Sequence, residues 1–329
     1  MKLCVIAGDG IGAEVVPQAV RVLQHLLPAL QTVSADAGWA TFQQQGTALP
    51  DATLTAARAC GAVLFGAVSS PARAVAGYRS PIVQLRRLLG CHANLRPTLS
   101  LPGCGLPGVD LWVVRENTED LYVGEEQSDG DTATAIKRIT RAASLRVAES
   151  AFALAAAAGR RRVTIVHKAN IMPLSDGLFR DCAREVAVRY PQLQVDEMLV
   201  DTAALKLAQA PQAFDVLLAP NLYGDILSDL AAAFGGGLGV AASLNLGQGV
   251  AIAEPVHGSA PDIAGQGVAN PVASLLSLAM LLRHHWQQPQ EANRLEQAVR
   301  QVLAGGECTP DLGGSAGTAQ FCDAVIAAL

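Results

Sequence analysis

Aromatic side chains are scarce in this sequence, 4% of its 329 residues, and charged ones make up only 16%. A core for a chain of this length must therefore be built mainly from Ala, Val and Leu. A basic surplus is also missing: 24 Lys and Arg stand against 29 Asp and Glu, a formal net charge of −5. That balance excludes a nucleic-acid binder, which needs cations to neutralise phosphates. Half the residues are hydrophobic, which excludes intrinsic disorder. No apolar run is long enough to span a bilayer, since the longest, around Val272 to Leu282, is broken by Ser274 and Ser277. The N-terminal run ends at Gly8-Asp9-Gly10, too early for a signal peptide, so no membrane partner and a cytoplasmic location are expected. The seven cysteines, at 4, 60, 91, 104, 182, 308 and 322, are odd in number and form no C-x-x-C pair. They point to reduced thiols rather than to a disulfide framework or a zinc knuckle.

What is present is an alternation of short apolar runs with longer helical patterns. Leu3–Ala7, Gly61–Gly66, Leu111–Val114, Val163–Val166 and Val216–Ala219 read as buried strands. Helices are expected over about 13–27, from about Pro50-Asp51, and over 142–158. Strands alternating with helices predict an α/β fold with a largely parallel sheet. Glycine-rich breaks near 100–108 and 235–239 are the candidate domain crossings.

Three segments carry candidate chemistry. Gly8-Asp9-Gly10-Ile11-Gly12-Ala13 follows a strand and opens a helix; it reads either as a dinucleotide fingerprint with Asp36 as the ribose acid, or as a tight structural turn. Asp225 and Asp229 are four apart, so their carboxylates share one helix face and repel unless a cation sits between them. Mg²⁺ suits such a pair; the plainer reading makes Asp225 an N-cap and Asp229 a solvated acid. Lys168, one of only four lysines, follows the strand ending at His167, where α/β enzymes place their chemistry. Arg86, Arg87, Arg96 and Arg115 lie within thirty residues and suit carboxylates, with at least one of Arg86 and Arg87 expected to face water.

Together these segments resemble the β-decarboxylating dehydrogenases, the family of isocitrate, isopropylmalate, homoisocitrate and tartrate dehydrogenases. Gly8-Asp9-Gly10-Ile11-Gly12 is similar to the family's opening loop, which removes the dinucleotide-fingerprint reading. Leu85-Arg86-Arg87, Asn94-Leu95-Arg96-Pro97 and Val114 through Tyr122 resemble its substrate motifs. His167-Lys168-Ala169-Asn170, Asp201 with Ala203-Ala204, and Asn221 to Asp229 resemble its catalytic and metal motifs, while Glu254 to Gly265 and Asn270-Pro271 resemble its cofactor loop.

The resemblance implies an isopropylmalate dehydrogenase-like fold of two α/β domains, with a central mixed, largely parallel sheet and a dimer-forming arm near 118–140 that includes Asp120, Glu125 and Glu126. A cofactor domain from residues 1–91 and 236–329 would be interrupted by a substrate, metal and dimerisation domain at 92–235, with the substrate in the cleft between them. Ser80, Arg86, Arg96, Arg115, Tyr122, Lys168 and Asn170 would bind a tricarboxylate or substituted malate. Mg²⁺ or Mn²⁺ would sit on Asp225 and Asp229, with Asp201 from a partner subunit. Tyr122, Lys168 and Asp201 would be the catalytic set. NAD would meet His257, Gly258, Ser259, Ala260, Pro261, Asp262, Ile263 and Asn270. Asp262 would accept the ribose hydroxyls and repel a 2′-phosphate, so NAD rather than NADP is expected. The active sites would be shared within a homodimer, with further pairing into a tetramer left open.

The segment Gly77-Tyr78-Arg79-Ser80-Pro81-Ile82-Val83, with Gly38-Trp39-Ala40, is most similar to homoisocitrate dehydrogenases of the aminoadipate route of lysine biosynthesis. Isocitrate and 3-isopropylmalate remain the alternative substrates, and a non-catalytic regulatory subunit the alternative of another class. Gly90-Cys91-His92 and Ala241-Ala242 depart from the usual family pattern without touching a catalytic position.

Overall fold

A computed structural model describes residues 1–73 and 75–329. In chain order the strands are β1 (Lys2–Gly8), β2 (Gln31–Ser34), β3 (Ala62–Ala67), β4 (Ala93–Leu99), β5 (Asp110–Glu116), β6 (Glu126–Ser128), β7 (Ala133–Ala135), β8 (Arg162–His167), β9 (Gln194–Leu199), β10 (Val216–Ala219), β11 (Ala242–Leu246) and β12 (Ala251–Pro255). The helices are α1 (Gly12–Leu26), α2 (Trp39–Gln45), α3 (Asp51–Cys60), α4 (Pro81–Leu88), α5 (Arg141–Ala157), α6 (Ser175–Ala187), α7 (Val200–Gln209), α8 (Asn221–Gly235), α9 (Val272–His284), α10 (Pro289–Ala304) and α11 (Thr318–Ala328). None of the described helices is long and apolar enough to cross a membrane. All seven cysteines are free thiols, as expected from their number and spacing.

The chain divides into two compact units: Met1–Cys91 with Ser100–Leu106 and Gly235–Leu329, and His92–Leu99 with Pro107–Phe234. In the first unit the strand order is β2-β1-β3-β12-β11, parallel except for the antiparallel pair β11–β12. β3 is buried at every position, as a parallel strand covered on both faces must be. Helix α1 packs on β1 and β3. Its buried residues Val15, Val16, Ala19, Val22, Leu23 and Leu26 follow the helical repeat and form one apolar face. The core around Cys4, Ile6, Val63, Leu85 and Ile252 uses mainly small and aliphatic side chains, with the aromatic Phe65 among them.

In the second unit the order is β4-β5-β10-β8-β9, with only the β4–β5 pair antiparallel. Its core gathers Leu111, Val113, Val166, Leu207, Phe214, Leu217 and Leu227. The register pairs Ala219 with Arg115 and Leu218 with Ile165, so β5, β10 and β8 end side by side. Three chemically loaded segments, Arg115-Glu116, Asn221 onward and His167-Lys168, therefore leave the sheet at one edge. The expected arm contains a short turn at Leu121–Val123 and the exposed antiparallel hairpin β6–β7.

Candidate active site

In the second unit, Arg115 lies at the end of β5 and is 1% exposed. Its Nε and Nη2 both donate to Asn221 Oδ1, at 3.0 and 2.7 Å, and its Nη1 donates to Asp225 Oδ1. This crossing needs Gly224, because a Cβ there would lie 2.7 Å from the Arg115 side chain. From β4, Arg96 donates to Asn94 Oδ1 at 2.6 Å, Ser228 Oγ at 2.8 Å and Asp229 Oδ1 at 3.1 Å, with Asp225 Oδ1 at 3.3 Å. Two guanidinium groups thus gather on the acidic pair of α8. Because α8 begins at Asn221, Asp225 lies in the helix, and the reading of it as an N-cap is corrected. The helix starts directly after the short strand β10, with Pro220 and Asn221 at the junction.

Tyr122 completes this cluster. Its hydroxyl donates to Asp225 Oδ2 at 2.6 Å, and the Arg115 guanidinium stands 4.9 Å from its ring centre. Burial pushes the phenol pKa up; the Arg115 charge pulls it down, while the hydrogen bond and charge of Asp225 raise it further, and the net direction is upward. The phenol therefore keeps its proton at neutral pH, the state a proton donor needs. Burial also raises the Asp229 carboxyl, opposed by Arg96 and reinforced by the negative charge of Asp225.

Lys168 and Asp201 form a second pair, with Nζ donating to Asp201 Oδ1 at 2.6 Å. The lysine's hydrogen bond is the main cause holding the exposed Asp201 carboxyl below its ordinary range. Asp201 does not join Asp225 and Asp229 within the chain. Among the described residues, no cluster of three or more His, Cys, Asp or Glu side chains is placed to hold a metal ion. Asn170 is exposed in the turn after Lys168.

Lys137 and Asp176 have a prominence that sequence reasoning missed. Asp176 is fully buried and accepts from the Lys168 backbone N–H at 2.6 Å and from Lys137 Nζ at 2.5 Å. Lys137 also stands 4.4 Å from the Tyr223 ring centre and 3.7 Å from Asp120. Burial lowers its pKa, but the Asp176 hydrogen bond and the charges of Asp120 and Asp176 outweigh that, so it stays charged. The two acids lie far from Lys137 in sequence, so no local pattern marked them.

In the first unit, Arg86 is buried on α4 and Arg87 is exposed, so one of the pair does face water. Arg86 is ion-paired with Glu254, whose other oxygen accepts from Asn245 Nδ2 at 3.1 Å. Arg86 Nε is buried with no hydrogen-bond partner. Ser80 precedes α4, and its backbone carbonyl accepts from Gln84 N–H. Nearby, Trp39, Phe42 and Tyr78 form an aromatic trio with ring centres 5.3–5.5 Å apart, joining the two segments 38–40 and 77–83.

The segment 257–263 is held by local bonds. His257 Nδ1 lies 3.0 Å from Gly258 O, while its buried Nε2 has no partner, and burial lowers its pKa. The ring is neutral and able to meet an uncharged ligand group. Ser259 is buried, with its Oγ 2.8 Å from Ser69 Oγ. Ala260 has a positive φ of 38°, Ile263 N–H donates back to Ala260 O, and Pro261 and Asp262 are exposed. Asn270 is committed to structural bonds: Nδ2 donates to Asp311 at 3.0 Å and Oδ1 accepts from Val272 N–H at 2.9 Å.

Asp9 accounts for the acid inside the opening glycine loop. Oδ2 accepts from the backbone N–H groups of Trp39 and Ser69, at 2.7 and 2.9 Å, and Oδ1 from that of Ala40, at 3.0 Å. Its carboxylate is a structural anchor, consistent with rejecting a pyrophosphate cradle there.

Residues 2–325 match the isocitrate/isopropylmalate dehydrogenase family. The chain is 49% identical over 329 residues to an isocitrate/homoisocitrate dehydrogenase of Thermus thermophilus, covering all of this chain and 98% of that protein. It is 48% identical over 330 residues to a 3-isopropylmalate dehydrogenase of Archaeoglobus fulgidus, covering 100% and 99%. Among solved structures, an isocitrate dehydrogenase from Methylococcus capsulatus matches with a TM-score of 0.94 at 43% identity, covering 99% of this chain and 98% of that one.

Proposed function

The chain belongs to the isocitrate/isopropylmalate dehydrogenase family, and on that footing we propose that it catalyses the NAD-dependent oxidative decarboxylation of homoisocitrate to 2-oxoadipate with release of CO₂. The observation that carries this reading is the convergence of Arg96, Arg115 and Tyr122 on Asp225 and Asp229. Two cations suited to substrate carboxylates, two hard oxygen donors and a protonated phenol stand together at one edge of the sheet.

The donor chemistry fits Mg²⁺ or Mn²⁺: Asp225 and Asp229 are like-charged, one turn apart and already drawing cations to themselves. The single chain supplies two carboxylates, and the third in this reading is the partner's Asp201, brought by a homodimer together with the partner's Lys168. When bound, NAD⁺ would supply a hydride acceptor, and a divalent cation held by Asp225 and Asp229 with the partner's Asp201 would supply Lewis-acid polarisation. Arg86, Arg96 and Arg115 receive the substrate carboxylates through bidentate hydrogen bonds. The partner's Lys168 relays the proton of the C2 hydroxyl, directly or through water. Departure of CO₂ leaves its bonding electron pair as an enolate, and Tyr122 donates its proton to C3 to give the ketone. The buried, unpartnered Arg86 Nε supports that residue's part, since a carboxylate would satisfy it.

Asp262 supports NAD over NADP, because a carboxylate beside the adenosine ribose accepts hydroxyls and repels a 2′-phosphate. Ser80 and a nearby Arg support homoisocitrate, since a distal carboxylate needs polar partners on that segment, while Ile82 and Val83 suit an extra methylene. Isocitrate is the second reading, because the Thermus relative's name includes both substrates. Reduction of NAD⁺ and of NADP⁺, measured with homoisocitrate, isocitrate and 3-isopropylmalate, tests the proposal. The highest kcat/KM belongs to homoisocitrate with NAD⁺; a preference for NADP⁺ or for 3-isopropylmalate overturns the finer assignment.

A further inference from the structure

The opening loop touches the segment proposed to receive NAD at two separate places. Ile11 N–H donates to Ser259 O at 2.9 Å. Gly10 allows this approach: it has a positive φ of 56°, and a Cβ there would collide with Ser259. Farther on, Glu14 in the first turn of α1 accepts two backbone N–H groups with its two carboxylate oxygens. Oε1 takes the N–H of Gly265 and Oε2 that of Gly267, the latter at 2.8 Å. Both glycines have positive φ, 82° and 67°, so this turn has a left-handed backbone that its own residues would not hold rigidly. The second oxygen of Ser259 is also engaged, through the Ser69 hydroxyl, and the Ser69 N–H is held by Asp9.

We infer that Glu14 is a positioning residue for the NAD loop: with Ile11 it clamps both ends of residues 259–267 so that the loop is ordered before the cofactor arrives. The inference rests on the proposed cofactor reading of that loop. Loop ordering otherwise has to be supplied by binding, and a preformed loop removes that cost from the cofactor's affinity. The bonds are charge-assisted and bidentate, so their loss is larger than that of a neutral hydrogen bond. Both carboxylate oxygens of Glu14 are engaged by the loop backbone, so the effect is expected on the dinucleotide rather than on the malate.

The test compares the full chain with E14A, E14Q and R21A. Arg21 lies on the same helix and makes an exposed ion pair with Asp323, so it controls for general disturbance of α1. NADH binding is measured by fluorescence titration without substrate, and amide hydrogen exchange is followed over 259–267. E14A weakens NADH binding by about tenfold or more, the loss of one charge-assisted hydrogen bond or above, and speeds exchange at Gly265 and Gly267. R21A leaves both unchanged. E14Q, which keeps one acceptor oxygen and the size of the side chain, weakens binding by a smaller factor and serves if E14A does not fold. Binding within twofold of the original in every folded Glu14 variant overturns the inference while leaving the cofactor reading intact. Failure of the unaltered chain to bind NADH overturns the cofactor reading, and this inference with it.

Discussion

Arg86 and Glu254 are nearly excluded from water, and each is costly to bury alone. Glu254→Ala strands the Arg86 charge and is expected to destabilise the protein by roughly 3–5 kcal/mol, read from denaturant unfolding. In folded protein it also raises KM for the malate, because the guanidinium loses its orientation. Tyr122 makes a different kind of prediction. Its phenol is one hydrogen bond on Asp225, and its raised pKa preserves the proton it is proposed to give. Tyr122→Phe lowers kcat by roughly 10²–10⁴-fold, the range of a lost general acid, with little change in KM for the substrate. An equal rise in KM at constant kcat would instead make the phenol a binding group.

Among the elements, the buried strands were the most legible, and the reason is physical. β3, β8 and β10 lie in the interior of their units' strand order, so their residues are apolar on both faces and form continuous runs. β2 and β9 lie at the ends of that order, with exposed or half-exposed residues such as Gln31, Thr32, Asp196 and Glu197, and no run marks them. The candidate site divided in the same way. Asp225 and Asp229 announce themselves by four-residue spacing, and Lys168 by its place after a strand. The grip of Asp176 on the Lys168 backbone and the Arg86–Glu254 pair depend on residues brought together only by the fold. Helix α9 carries a pH dependence of its own. Burial, reinforced by the Arg283 charge, lowers His284 from 6.5 to about 4. Its contribution to stability is complete above the unfolded pKa and is lost as pH falls from about 6.5 towards 4, roughly 3 kcal/mol over that window. Unfolding midpoints measured across that range should fall less steeply in His284→Gln than in the original chain.

The chain as a whole has a small-residue core and places several large apolar side chains in water. Ile171, Leu174, Leu205 and Ile226 are 55–87% exposed. All four belong to segments that also carry Lys168, Asp201 or Asp225. An interface there would bury them and bring the partner's Lys168 and Asp201 to Asp225 and Asp229, as the proposed shared site requires. Leu174→Glu is therefore expected to shift the protein from dimer to monomer in sedimentation experiments and to remove activity. Shared sites also predict complementation. Lys168→Ala and Asp225→Asn are each inactive alone, yet co-refolding them at equal amounts restores about one quarter of the original activity, because random pairing gives one intact site in half of the dimers. No recovery would contradict sharing.

The central claim, metal-assisted oxidative decarboxylation of a 3-substituted malate, is tested most directly by following NADH and CO₂ together from homoisocitrate, NAD⁺ and Mg²⁺. The account predicts equal amounts of both products, activity lost to a chelator and restored by Mg²⁺ or Mn²⁺, and none in Asp225→Asn. NADH without CO₂, or no turnover with homoisocitrate, isocitrate or 3-isopropylmalate, would contradict it.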